Sequence, residues 1–260
     1  MGADRPGDAD MPPDDHPDRR DDQDGTGGHA ARAGNAQAET RTRQEYYADL
    51  RVTVSAEALC GAVHKPLPRT PGRMIGMTMV YLVQHGEKQR LPGDPGLTEL
   101  GRQQATRTGW WLSGLGVGAL WTSPMRRARE TADCIAEVTG LAVQPDTRLR
   151  ERLNWDGGMP FEAFLALWAR TTRDRDLVPA GGQSARQAAA RLQAFLAGLR
   201  GLPGPAAAVT HGGITIELLR DLAGDDALRP DVLEAGIPPC AVTAIDDRNP
   251  VMVASVSHLM

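Results

Sequence analysis

Between Met79 and Gln84 the chain carries a short apolar run, Met-Val-Tyr-Leu-Val-Gln, closed by His85-Gly86, the pattern of a buried strand. After Pro95-Gly96, apolar residues return at helical spacing over residues 98–115, and residues 117–122 predict a second strand. Ser123-Pro124 offers a capping hydroxyl and a proline for the first helical position, predicting a helix that runs to about Gly140. A weak third strand is expected over residues 142–144. Helices are expected over 161–171 and 184–199, the second with Ala188, Leu192, Phe195 and Leu199 on one stripe. Residues 206–210 read as a strand, 213–222 as a helix, and 241–245 and 251–256 as the last two strands. Strands alternating with helices predict an α/β fold with a largely parallel sheet, and no internal repeat interrupts it.

The texture is different upstream. Residues 1–44 are dominated by Asp, Arg, Gly, Pro, Gln and Ala without a periodic apolar face, so burial cannot offset the entropy of ordering them. Tyr46, Tyr47, Leu50, Val52 and Val54 allow a short element before Pro66, Pro68 and Pro71 interrupt. The expected division is a low-complexity, disordered extension and linker over residues 1–74 and a folded domain over 75–260. A natural start at Met74, Met77 or Met79 is the alternative.

Composition narrows the class. Of 260 residues, 41% are hydrophobic and 24% charged, within the globular range. A net charge of -4 and a pI near 5.9 give no reason to expect nucleic acid or an anionic membrane as partner. Cys60, Cys134 and Cys240 form no CxxC pair, which suits a reduced compartment. No apolar stretch approaches the roughly 20 residues of a membrane span. The N-terminus lacks the apolar core of a signal peptide, so the expected location is cytoplasmic. Lys65 and Lys88 are the only lysines; the arginine bias reads as a genome-composition effect.

Parallel α/β sheets bind ligands at the carboxyl ends of their strands, where helix N-termini also point. Three junctions there carry chemistry: Gln84-His85-Gly86-Glu87, Ser123-Pro124-Met125-Arg126-Arg127 and Thr210-His211-Gly212-Gly213. Two imidazoles, a guanidinium and free backbone N–H groups at one sheet edge suggest phosphate. A zinc site is the rival use of the histidines, but no His/Cys/Asp cluster has ligand spacing. A serine hydrolase lacks its GxSxG elbow, and no Walker or dinucleotide loop opens a helix. Neither a metal nor an organic cofactor is expected. Trp110, Trp111, Trp121 and Trp168 read as core or rim packing.

These residues carry a resemblance. Val80–His85 with Gly86-Glu87 is similar to the strand-plus-RHG signature of the histidine phosphatase superfamily, the phosphoglycerate mutase-like fold. Residues 97–105 resemble its LTxxGxxQA segment, 123–132 its SxxxRAxxTA segment, 149–157 its LxE…WEG stretch, and 209–213 its second-histidine motif. The resemblance spans 79–256 and implies a three-layer α/β/α domain. It implies that His85 is the nucleophile that takes up a phosphoryl group, and that Arg127 and His211 hold and stabilise it. Glu151 corresponds to the proton donor that then activates water; the bland reading of Glu151 is a surface carboxylate paired with Arg150 or Arg152.

Three positions depart from the family pattern. Gln84 stands where the family has arginine, which removes a charge-assisted phosphate contact. Lys88 either compensates by lining the phosphate pocket or is a solvated loop charge. Gln183 and Asp156 replace glutamates. The expected activity is metal-independent hydrolysis of phosphomonoesters through a phosphohistidine. The alternatives are a phosphoglycerate-type mutase, for which the domain is short, and a catalytically impaired phosphate- or phosphoprotein-binding module. A small metabolite phosphate, a sugar phosphate and a phosphoprotein all fit as partner, and the oligomeric state is not legible.

Overall fold

Small and β-branched residues dominate the central strands, and they let helices approach the sheet closely from both sides. The computed structural model describes residues 78–260; the extension and linker expected over 1–74 lie outside the described residues. Six strands form one sheet: β1 (Met79–Gln84), β2 (Ala119–Thr122), β3 (Val143–Pro145), β4 (Ala206–Thr210), β5 (Val242–Asp246) and β6 (Asn249–Ser255), in the order β3-β2-β4-β1-β5-β6. β3, β2, β4 and β1 run parallel, while β5 pairs antiparallel with β1 and β6 antiparallel with β5. The mostly parallel α/β arrangement expected from the alternation is the one found.

The period of two along each strand sorts side chains into two cores. Val80 and Leu82 of β1, Ala206 and Ala208 of β4 and Ile245 of β5 face α4 (Ala185–Gly198) and α5 (Gly212–Ala223), meeting Leu192, Phe195, Ile214 and Leu218. Val83, Leu120, Ala207, Val209 and Val242 face the other way, onto Leu112 of α1 (Glu99–Gly114) and Ala128, Ala132 and Ile135 of α2 (Arg126–Thr139). Helices on both faces of one sheet make the three layers. α3 (Phe161–Arg173) follows the long β3 loop, and α6 (Pro230–Ala235) lies between α5 and β5.

Ser184 caps α4 in a full capping box with Gln187, and Ala188, Leu192, Phe195 and Leu199 form the buried stripe that the periodicity predicts. Ser123 does not cap the next helix. α2 starts two residues later than Pro124, at Arg126, and the Arg126 N–H is taken by the Asp94 carboxylate at 2.8 Å from a distant loop. α6 has too few residues for a periodic signal and was not anticipated. Trp110 is 65% exposed, contrary to a packing role, whereas Trp111 meets Tyr81 and Trp121 meets Phe195.

Arginines tie loops to helices throughout. Arg175 and Arg220 converge on the buried Glu217, and each also reaches an aspartate, Asp221 and Asp225 respectively. Arg191 on α4 donates to Gln183 Oε1 and to the carbonyls of Thr147, Arg148 and Arg150, the turn that leads into residue 151.

The loop after β1 crosses the start of α1 backbone to backbone. A Cβ on Gly86 would stand 2.5 Å from the Gly101 carbonyl oxygen, and a Cβ on Gly101 would strike the Glu87 carbonyl. Thr98, the α1 cap, donates its N–H to the Glu87 oxygen at 2.9 Å. Gly101→Ala should therefore cost about 1–3 kcal/mol or more, since backbone has to move. Gly114→Ala, with open space around it, should be neutral or stabilising by up to about 1 kcal/mol. Urea denaturation of both variants checks the contrast.

Candidate active site

Two strand ends deliver the two histidines. His85 follows β1 and His211 follows β4, and because these strands are neighbours their rings lie 5.3 Å apart, edge to face. Both are buried. His85 Nδ1 is 2.8 Å from the Gly86 carbonyl, so it carries the proton and leaves Nε2 with a lone pair. His211 Nε2 is held at 2.8 Å by Ser123 Oγ from the end of β2. Ser123 thus serves as a histidine anchor rather than the expected helix cap.

Arg127 enters from the first turn of α2 and is only 4% exposed. Its terminal nitrogens reach Asp94 at 3.4 Å and Asn154 at 3.3 Å, while its Nε has no partner. His211 Nδ1 and Gln84 Oε1 are likewise buried without one. The Gln84 amide nitrogen lies 3.4 Å from His85 Nε2. Thr131 locks α2 to the His85 loop, accepting the Gly86 N–H at 3.0 Å and donating to the Arg127 carbonyl at 2.7 Å.

Glu151 is not the surface carboxylate of an ion pair with Arg150 or Arg152. One oxygen accepts the Arg152 backbone N–H at 2.8 Å and the other the Gly213 N–H at 2.9 Å, at the first turn of α5 behind His211. The Arg152 guanidinium goes elsewhere, to Thr171 and Thr172 and over the Trp168 ring at 4.1 Å. Trp168 sits against the same glycine: a Cβ on Gly213 would meet the indole at 2.6 Å and Glu151 at 2.7 Å.

The electrostatics follow from burial. Desolvation, then Arg127 and Lys88, push His85 down to about 3, so the ring is neutral over the whole physiological range. His211 is lowered well below its ordinary value by burial first, then by Arg127, His85, Arg191 and Arg150. Lys88 is half-buried and falls to about 8 through desolvation, Arg127 and Arg90, while the contact its ammonium makes is an exposed one, with the Gln89 carbonyl at 3.5 Å. Burial lowers Arg127 too, against the opposing pull of Glu151 and Asp94.

Of the predicted residues, His85, His211 and Gln84 gather at one edge, the Arg127 charge bears on both rings, Glu151 acts on that charge from another turn, and Lys88 bears on His85 only through its charge. Gln183 binds Arg191, and Asp156 caps Gly158 in an exposed loop. Sequence reasoning missed Ser123 as an anchor, Thr131 and Asn154. Among the described residues no group of three His, Cys, Asp or Glu side chains is placed to hold a metal, and no helix is long and apolar enough to cross a membrane. A separate cavity of about 290 Å³ lies at the opposite sheet edge, by Val80, Leu222 and Ile245.

The site thus sets a pair of neutral imidazoles and a buried guanidinium at the carboxyl ends of parallel strands. Residues 80–253 match the histidine phosphatase superfamily (branch 1), and the chain belongs to that family. A protein of Erwinia tasmaniensis named "probable phosphoglycerate mutase GpmB" is 43% identical over 82 residues, 29% of this chain and 38% of its own length. The aligned part thus spans less than half of the curated relatives it matches. Among solved structures, the mycobacterial glucosyl-3-phosphoglycerate phosphatase is 28% identical with a TM-score of 0.54, covering 65% of this chain and 90% of that one. Bacillus stearothermophilus YhfR is 27% identical with a TM-score of 0.56, covering 70% of this chain and all of that one.

Buried neutral histidines make stability depend on acid. His258, stacked on Trp111 at 5.1 Å and bonded to Thr108 at 3.0 Å, is held down to about 4, chiefly by burial. Unfolded histidines titrate near 6.5, so below that pH the unfolded chain binds more protons than the folded one and stability declines toward pH 4. Calorimetric Tm should fall over this window, and His258→Gln should make the fall shallower; an equally steep fall would contradict the assignment.

Proposed function

We propose that the protein is a metal-independent phosphatase that hydrolyses phosphomonoesters through a phosphohistidine at His85. The observation that carries this reading is the neutral His85 Nε2 beside two buried groups without partners, Arg127 Nε and His211 Nδ1. A tetrahedral anion supplies acceptors for the donors that surround such a space. His85 attacks phosphorus in line, and the P–O bond to the leaving alcohol breaks. Arg127 and His211 stabilise the charge spread over the equatorial oxygens. Glu151 gives a proton to the leaving oxygen, then takes one from the water that attacks the phosphohistidine, and phosphate leaves with every group restored.

A phosphoglycerate-type mutase is the second reading, favoured by the mutase-named relative. It differs only in returning the phosphoryl group to a hydroxyl instead of water. The phosphatase reading draws its support from the mycobacterial phosphatase, whose match covers 90% of that enzyme. The substrate class is a small-molecule phosphate ester or a phosphoprotein, gripped by its common phosphoryl end.

Phosphate release from phenyl phosphate in chelator should persist in wild type and fall to background in His85→Ala. Arg127→Ala should lose about 100-fold or more and Glu151→Gln about 100- to 10,000-fold in kcat. Equal rates for wild type and His85→Ala would instead indicate a phosphate-binding module. Interconversion of phosphoglycerate isomers faster than their hydrolysis would indicate the mutase.

A further inference from the structure

Gln84 differs in kind from the other polar groups around the anion pocket. His85 donates its Nδ1–H to Gly86, so its Nε2 is an acceptor, and only the N–H side of the Gln84 amide can face it. The amide oxygen is thereby turned away, toward the N-terminus of α5, where a Cβ on Gly212 would lie 3.6 Å from it. That oxygen is buried and unpartnered. A fully ionised phosphoryl group offers only acceptors. It satisfies Arg127 Nε but brings no donor to the unpartnered Gln84 Oε1.

Lys88 and Arg127 bear on His85, and Asp94 and Glu151 bear on Arg127. Further out, Arg90 acts on Lys88, and Arg150 and Arg191 act on His211. A guanidinium at position 84 would add a positive charge beside the nucleophile; the amide adds none.

We propose that this site takes the phosphoryl group as a singly protonated monoanion, with its P–OH donated to Gln84 Oε1. The inference rests on the phosphoryl-transfer reading above and specifies the ionic form of its substrate. The proton stays on the same phosphoryl oxygen throughout: His85 Nε2 gains the phosphoryl group as the bond to the leaving oxygen breaks, that oxygen takes its proton from Glu151, and the attacking water returns one to Glu151. Dihydrogen phosphate is the product released.

Benzylphosphonate and its α,α-difluoro analogue are non-hydrolysable probes whose second pKa values differ, the fluorines lowering the latter. Titration calorimetry from about pH 4.5 to about pH 9 should show wild-type affinity falling about tenfold per pH unit above each ligand's own second pKa. The two breaks should therefore separate by the difference between the ligands. Gln84→Arg should remove the fall, binding at least about tenfold more tightly than wild type near pH 7.5 and about equally near pH 5. With phenyl phosphate, wild-type kcat/KM should decline above a second pKa of about 6. Affinity that is flat through both pKa values, a common break that ignores the ligand, or an unchanged profile in Gln84→Arg would each overturn the monoanion. Should His85→Ala and wild type release phosphate equally, the hydrolysis reading fails while calorimetry still decides the ionic form bound.

Discussion

The imidazole of His85 is desolvated and donates Nδ1–H to the carbonyl of the next residue, Gly86. Burial keeps the ring neutral, the hydrogen bond fixes which nitrogen carries the lone pair, and Arg127 and Lys88 oppose protonation from the open side. At neutral pH the ring therefore keeps a lone pair on Nε2 without a general base beside it. The cost is that a polar ring and a guanidinium are held out of water together, an arrangement that stays favourable only while each keeps its fixed partners.

Those partners come from four separate segments, and the sheet brings them to one point. β1 and β4 are paired from Val80 and Ala206 to Gln84 and Thr210, so the residues after them emerge side by side. β2 extends the row with Ser123, which orients His211. The crossing of Gly86 and Gly101 lets α1 press on the His85 loop from outside, and Thr131 fastens the same loop to α2. The Glu151 turn is fixed independently by Arg191 on α4 and by the Gly213 N–H on α5. Fixed partners therefore hold His85, His211 and Glu151 in the site.

What the sequence disclosed and what it hid follow from the range of the interactions. His85 and His211 were legible because a buried apolar run ending in His-Gly is a local pattern, and the capping box at Ser184 is local too. Ser123 looked like another cap since the same hydroxyl can do either job; only the neighbouring strand end, 88 residues away, assigns it to His211. Glu151 could not be told from a surface carboxylate because its partners are backbone N–H groups, one of them 62 residues distant. Trp110 reads in sequence like the half-buried Trp111 beside it, yet successive helical residues point about 100° apart, and the helix turns it outward. Gln84 was visible only as a missing charge; that its amide leaves an acceptor without a donor is a fact of three dimensions.

The arginine bias has a mechanical consequence. Arg191 spans three carbonyls and a side-chain amide, and Arg175 and Arg220 grip one buried carboxylate from two directions. Each link depends on a planar fork of donors that a lysine ammonium cannot reproduce. Guanidinium ions in solution carry that same fork, and their salt screens charge as well, whereas urea does neither electrostatically. This fold is therefore one in which the two denaturants attack different things: urea the Ala- and Leu-lined layers, guanidinium also the cross-links that hold the turns in place.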